Sequence, residues 1–182
     1  MKLSICLLGA ALVLVPAAVS ADSPREFLNK AAQGDNSEIM LGRLAQNRGM
    51  NPGVRDFGRT LVADHMTARD DVERTARRMG IRVDRDTTFE ARNERDRLNG
   101  MRGPQFDREF IRYMIDDHRK DINDFREEAR ERHGGAGDLA RRQLPTLQKH
   151  LDLALSLNDR IDRNVGWDRR NYRDRDHDRY GR

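Results

Sequence analysis

The chain has one cysteine in 182 residues, Cys6, and it lies in the apolar run that opens the sequence. Met1-Lys2 make a short positive start, Leu3 to Val19 an apolar stretch, and Val19-Ser20-Ala21 a small-residue cleavage site. That is the pattern of a secretory signal peptide cut after Ala21. A lipoprotein anchor would need its cysteine at the end of the stretch, and Cys6 comes too early. The run is also short for a membrane span and carries Pro16. The expectation is a periplasmic or secreted protein that loses residues 1–21, Cys6 with them. What remains can form no disulfide, so its stability must come from a packed core or a bound ligand.

Several other things are missing. No later segment is apolar enough to cross a membrane, so no transmembrane anchor is expected in the mature chain. Lysine is scarce: Lys2, Lys30, Lys120 and Lys149 are the only four of 35 basic residues. The arginines alternate with acids, giving a net charge of only +4 at 36% charged residues, and leave no basic face for nucleic acid. There is no period-two alternation and no hairpin dipeptide, so strands are not expected. His133-Gly134-Gly135 has no G-x-S-x-G nucleophile to serve, and the mature serines (Ser23, Ser37, Ser156) sit in no catalytic context. H-E-x-x-H, a phosphate loop and a dinucleotide fingerprint are all absent.

What is present is helical periodicity. Ser23-Pro24-Arg25-Glu26 starts a helix whose stripe is Phe27, Ala31, Gly34, Glu38, Leu41 and Ala45, ending near Gly49. Asn51-Pro52 starts a second, with Val54, Phe57, Leu61, His65, Ala68, Val72, Thr75 and Met79, stopped by Gly80. From Arg82 to Gly103 the pattern weakens into a crossover with a short polar helix from Thr87-Thr88-Phe89 towards Leu98. A third helix from about Phe106 shows Ile111, Ile115, His118, Ile122, Phe125 and Ala129. After a loop at His133–Gly137, with Asp138 as N-cap, a fourth shows Leu139, Leu147, His150, Ala154, Leu157 and Ile161 and should kink at Pro145. Phe27–Ile39 and Phe106–His118 have equal spacing, as do Val54–His65 and Leu139–His150. The expected fold is all-α: two helical hairpins joined by a crossover, a ferritin-like four-helix bundle over residues 22–161. Residues 162–182, rich in Arg and Asp with Trp167, Tyr172 and Tyr180, read as a disordered tail. A basic-aromatic contact with anionic envelope polymers is its functional alternative, weakened by Asp168, Asp174, Asp176 and Asp178. His177 lies there and is not a ligand candidate.

Each apolar stripe is broken once, near mid-helix: Glu38, His65, His118 and His150. A polar group facing a core costs stability unless something satisfies it. One reading is a buried His/Glu/Asp hydrogen-bond layer that fixes helix register and charges near pH 6, loosening the bundle. The other is a single ion held by the four as a His3Glu set, with Asp64 and Asp117, each one residue before a histidine, behind them. Met40, Met66, Met79 and Met114 are soft atoms for copper, but at helical spacing they read as core.

From Phe27 to Leu157 the chain resembles the bacterial domain of unknown function 4142 family. The resemblance rests on Glu38 with Gly42-Arg43-Leu44-Ala45, Asp64-His65, Phe106-Asp107, Met114-Ile115-Asp116-Asp117-His118, Leu144-Pro145-Thr146-Leu147 and His150-Leu151. It implies an exported protein with a ferritin-like fold and no established activity, and would place any functional positions at Glu38, His65, His118 and His150. Di-iron proteins of that fold carry Glu three residues before His on two helices; Val62 and Leu147 stand there. The first expectation is thus a non-enzymatic bundle protein with a polar layer and an envelope-stress role. The alternative is a mononuclear Zn, Cu, Fe or Mn protein for storage, buffering or redox chemistry. The residues require no cofactor and admit one divalent ion, and they name no partner.

Overall fold

A computed structural model describes residues 23–131 and 134–179, with side chains as far as residue 163. The signal-peptide expectation and Cys6 fall outside the described residues, as does His133. Five helices follow one another: α1 (Pro24–Arg48), α2 (Pro52–Arg78), α3 (Phe89–Asn99), α4 (Gly103–Glu131) and α5 (Gly135–Arg179). There is no strand among the described residues. The fold is an all-α bundle: α1 pairs with α2, α4 pairs with α5, and α2 packs on α5. None of the helices described is long and apolar enough to cross a membrane.

The helix starts follow their side chains. Ser23 and Glu26 form the reciprocal capping box, Ser23 N–H donating to Glu26 Oε2 at 2.8 Å and Glu26 N–H to Ser23 Oγ at 3.2 Å. Asn51 accepts from Gly53 N–H at 2.8 Å, and Thr88 accepts from Ala91 N–H at 3.1 Å. Two starts differ from expectation. α4 begins at Gly103, three residues early, because Gly103 takes a left-handed φ of +57° and Pro104 then fits the first turn. α5 begins at Gly135, so Asp138 lies inside the first turn, ion-paired with Arg141, and is not the cap. The apolar stripe of α5 ends at Ile161, where a disordered tail is expected from the sequence, but the helix itself runs on to Arg179.

Two contacts hold the first hairpin. At the α1–α2 crossing, a Cβ on Gly42 would come within 2.9 Å of Gly58 O, and one on Gly58 within 2.7 Å of Gly42 O. Only hydrogen fits in both places, so the backbones can touch. The α1–α2 turn is gripped from α4 by buried Asp107, whose carboxylate accepts from Met50 N–H at 2.9 Å and Asn51 N–H at 2.7 Å. The crossover lies along α1: Thr88 N–H donates to Ser37 Oγ at 2.9 Å and Asn36 Nδ2 to Arg85 O at 2.9 Å. α3 is tied to α4 by the Arg97–Glu109 ion pair.

The core comes in two halves. One contains Leu41, Val54, Phe57, Leu61, Phe110 and Met114; the other contains Phe27, Leu28, Val72, Ile122, Phe125 and Leu139. On all four long helices the residue between the two halves is polar.

Candidate metal centre

Glu38, His65, His118 and His150 form that dividing layer, one from each long helix, and all four are buried. Each offers a ligand atom within 4.8 Å of those of the other three. The three imidazole rings stand 5.2, 5.3 and 6.1 Å apart between centroids. The helical period brings the four to one level because the two hairpins have matching spacing along their chains.

Each histidine commits one ring nitrogen to a group that can only accept. His65 Nδ1 lies 2.8 Å from Asp35 Oδ1, His118 Nδ1 lies 2.9 Å from Met114 O one turn back, and His150 Nε2 lies 2.9 Å from Asp64 Oδ2. Facing a carboxylate or a carbonyl, the committed nitrogen must carry the hydrogen. In a neutral ring the other nitrogen then carries a lone pair. Those other nitrogens, His65 Nε2, His118 Nε2 and His150 Nδ1, are buried and make no hydrogen bond, and neither do both oxygens of Glu38. His65 Nε2 is 2.9 Å from Glu38 Oε2, an ion pair when His65 is protonated, and His118 Nε2 is 3.5 Å from the same oxygen. Donor atoms about 2.0–2.1 Å from a tetrahedral ion sit about 3.4 Å from one another, so both separations bracket that edge.

The electrostatics divide the histidines. Burial opposes charge on His65, but Glu38 and Asp35 on either side of it raise it well above its ordinary value. Burial pushes His118 down, and burial with the nearby His65 charge pushes His150 down to about 4. Burial would raise Glu38, yet His118 and His65 hold it at about 2. Asp35 is raised to about 6 by burial, against the pull of His65. The charged form is thus favoured on His65, which faces the Glu38 carboxylate, and disfavoured on His118 and His150.

Of the two acids expected behind the histidines, Asp64 reaches His150, with Lys149 Nζ 3.7 Å away. Asp117 sits elsewhere. His118 turns to its own helix carbonyl, and the Asp117 carboxylate lies within 4.8 Å of those of Glu38 and Asp121. Asp35, which orients His65, is missing from the sequence reading, although its position three residues before Glu38 puts both on one face of α1. Leu147 is buried in the apolar core, and Val62 packs against α1 at Gly42. Met114 is core, Met40 is half-buried, and Met66 and Met79 are exposed. A cleft of about 810 Å³ reaches the layer, with His65, Asp35, Asp64, Asp117 and Asp121 on its walls.

A family model described as "Domain of unknown function (DUF4142)" matches residues 13–157. No curated protein matches the chain, and no solved structure does.

Proposed function

The chain belongs to the DUF4142 family, whose description names no activity, and we propose from the chemistry of the site that it is a metal-binding protein. Glu38, His65, His118 and His150 hold one transition-metal ion, and Asp35, Asp64 and the Met114 carbonyl orient the three rings. The mature protein begins after Ala21, works in the periplasm or outside the cell, and carries the site in the bundle of residues 22–161.

One observation carries this reading. Every histidine is anchored through one nitrogen, and of the inner atoms only His65 Nε2 and Glu38 Oε2 pair with each other, leaving His118 Nε2, His150 Nδ1 and Glu38 Oε1 buried without a hydrogen bond. A hydrogen-bond network built to fix register would pair its inner atoms as well. Three buried atoms left unpaired at about 1–3 kcal/mol each would consume a large share of the ~5–15 kcal/mol that keeps a domain folded. Metal ligation reverses that cost, and histidines held by carboxylates or carbonyls are the usual frame of such sites.

The donor set suits Zn, Cu, Fe or Mn. Three nitrogens and a carboxylate fill a tetrahedral shell without an open position, which favours holding an ion over turning over a substrate. Storage or buffering is therefore the role the ligand set supports best. Cobalt substitution tests it. Co2+ added to metal-free protein should give the intense visible bands of a four-coordinate ion and saturate at about one equivalent. Weak six-coordinate bands, or equal bands in an H65Q/H118Q/H150Q variant, would overturn the proposal.

A further inference from the structure

Glu38 belongs to a second group of ligand atoms. One of its carboxylate oxygens lies within 4.8 Å of one from each of Asp117 and Asp121, and those two lie as close to each other. Asp117 and Asp121 are one turn apart on α4, half-buried, and line the cleft. We propose that Asp117, Asp121 and Glu38 form a second cation site beside the histidine site, with Glu38 bridging the two; this rests on the histidine site being a metal site.

Acidic clusters on a surface normally turn to water, and Asp117 with Asp121 alone would be one more of these. Glu38 makes the difference. It is 0% exposed, and apart from the ion pair of Oε2 with His65 it has no hydrogen-bond partner. Its Oε2 faces His65 and His118, and no hydrogen-bond donor reaches Oε1. A carboxylate that cannot be hydrated and lies beside two others needs positive charge from somewhere. His65 supplies part of it on one side. On the other, no Lys or Arg among the described residues pairs with Asp117 or Asp121, and Lys120 acts on them only from the exposed face of α4.

The second set is all oxygen, and the cleft gives water access to complete a shell. Hard cations that keep several waters fit it: Mn2+, Mg2+ or Ca2+. The two sites thus differ in ligand chemistry, imidazole-rich inside and carboxylate outside, and a soft and a hard ion can occupy them together.

Electron paramagnetic resonance with Mn2+ tests this, because bound Mn2+ loses the sharp six-line signal of the free ion. Full-length mature protein is loaded with Zn2+, washed, and titrated with Mn2+. About one equivalent of Mn2+ should bind, and a D117N/D121N variant should keep its Zn2+ and take up none over the same range. Undiminished Mn2+ lines in wild-type protein would overturn the second site, as would equal uptake by the variant. If the double variant does not fold by circular dichroism, D121N alone should weaken Mn2+ uptake by about tenfold or more, and unchanged uptake would overturn the site. Failure of the histidine site reads out separately, as Zn2+ that washes out before Mn2+ is added. Asn-sensitive Mn2+ uptake by that protein would still support the acidic site and would remove the bridge.

Discussion

A carbonyl oxygen accepts a hydrogen bond and cannot donate one, so the Met114 carbonyl alone determines which nitrogen of His118 carries its hydrogen. Asp35 and Asp64 do the same for His65 and His150. Removing either acid should loosen a ring without deleting a ligand. The variants D35N and D64N are expected to bind metal about 10–100-fold more weakly than wild type, in competition with a chromophoric chelator, while keeping its stoichiometry. Affinity at wild-type level in both would remove their orienting role. The four layer residues were legible in the sequence because each breaks a helical stripe, a signal carried by period alone. Asp64 was legible as the neighbour of His65, but its partner proved to be His150 across the bundle. Asp35 and Asp121 were not read. What gives them meaning is the register between helices, since Asp35 serves a ring on α2 and Asp121 meets Glu38 on α1, and one helix's periodicity does not report that.

Helices α1 and α2 approach through Gly42 and Gly58, whose backbones leave no room for a methyl group. A G58A substitution should push them apart and cost about 1–3 kcal/mol in urea unfolding of the metal-free protein. It should also weaken metal binding, because Glu38 and His65 ride on those two helices. The α1–α2 turn depends on Asp107 of α4, and D107N leaves one acceptor for two backbone donors, an expected loss of about 1–3 kcal/mol by the same measurement. Wild-type stability in either variant would contradict the packing described here. Helix number, order and most caps were readable, because Ser23, Asn51, Thr88, Pro24 and Pro52 act within one turn of themselves. The start of α4 was not: Gly103 and Pro104 read as the close of the crossover, whereas the helix begins at Gly103. Asp107 looked like any acid in a first turn, since its partners lie more than fifty residues earlier in the chain.

For the molecule as a whole, the proposed metal site makes protons and metal competitors for the same layer. In the metal-free protein His65 is raised, so its contribution to stability is complete below pH ~6.5 and fades as pH rises through its folded value. Asp121, raised to about 7 by burial and Glu38, and Asp35, raised to about 6, have the same sign, their stabilising protonated forms being lost as pH rises. The depressed His118 and His150 act oppositely: their contribution holds above ~6.5 and is lost as pH falls, towards about 4 for His150. Between pH 8 and 6 the first group dominates. Metal-free protein should therefore melt at a higher temperature at pH 6 than at pH 8. This prediction runs opposite to the sequence-based expectation of a bundle loosened near pH 6, because Glu38 and Asp35 favour the charged form of His65 while burial disfavours it on His118 and His150. Metal-loaded protein should show the reverse trend, since ligation must displace the His65 proton and acid restores it. Parallel trends in the two forms would contradict the linkage.

Elemental analysis of mature protein purified without an affinity tag decides whether the layer holds a metal ion. Wild-type protein, dialysed against metal-free buffer, should retain about one equivalent of Zn, Cu, Fe or Mn, and the H65Q/H118Q/H150Q variant essentially none. Wild-type protein that retains no metal even after incubation with each ion, or a variant that retains as much as wild type, would contradict the proposed metal site.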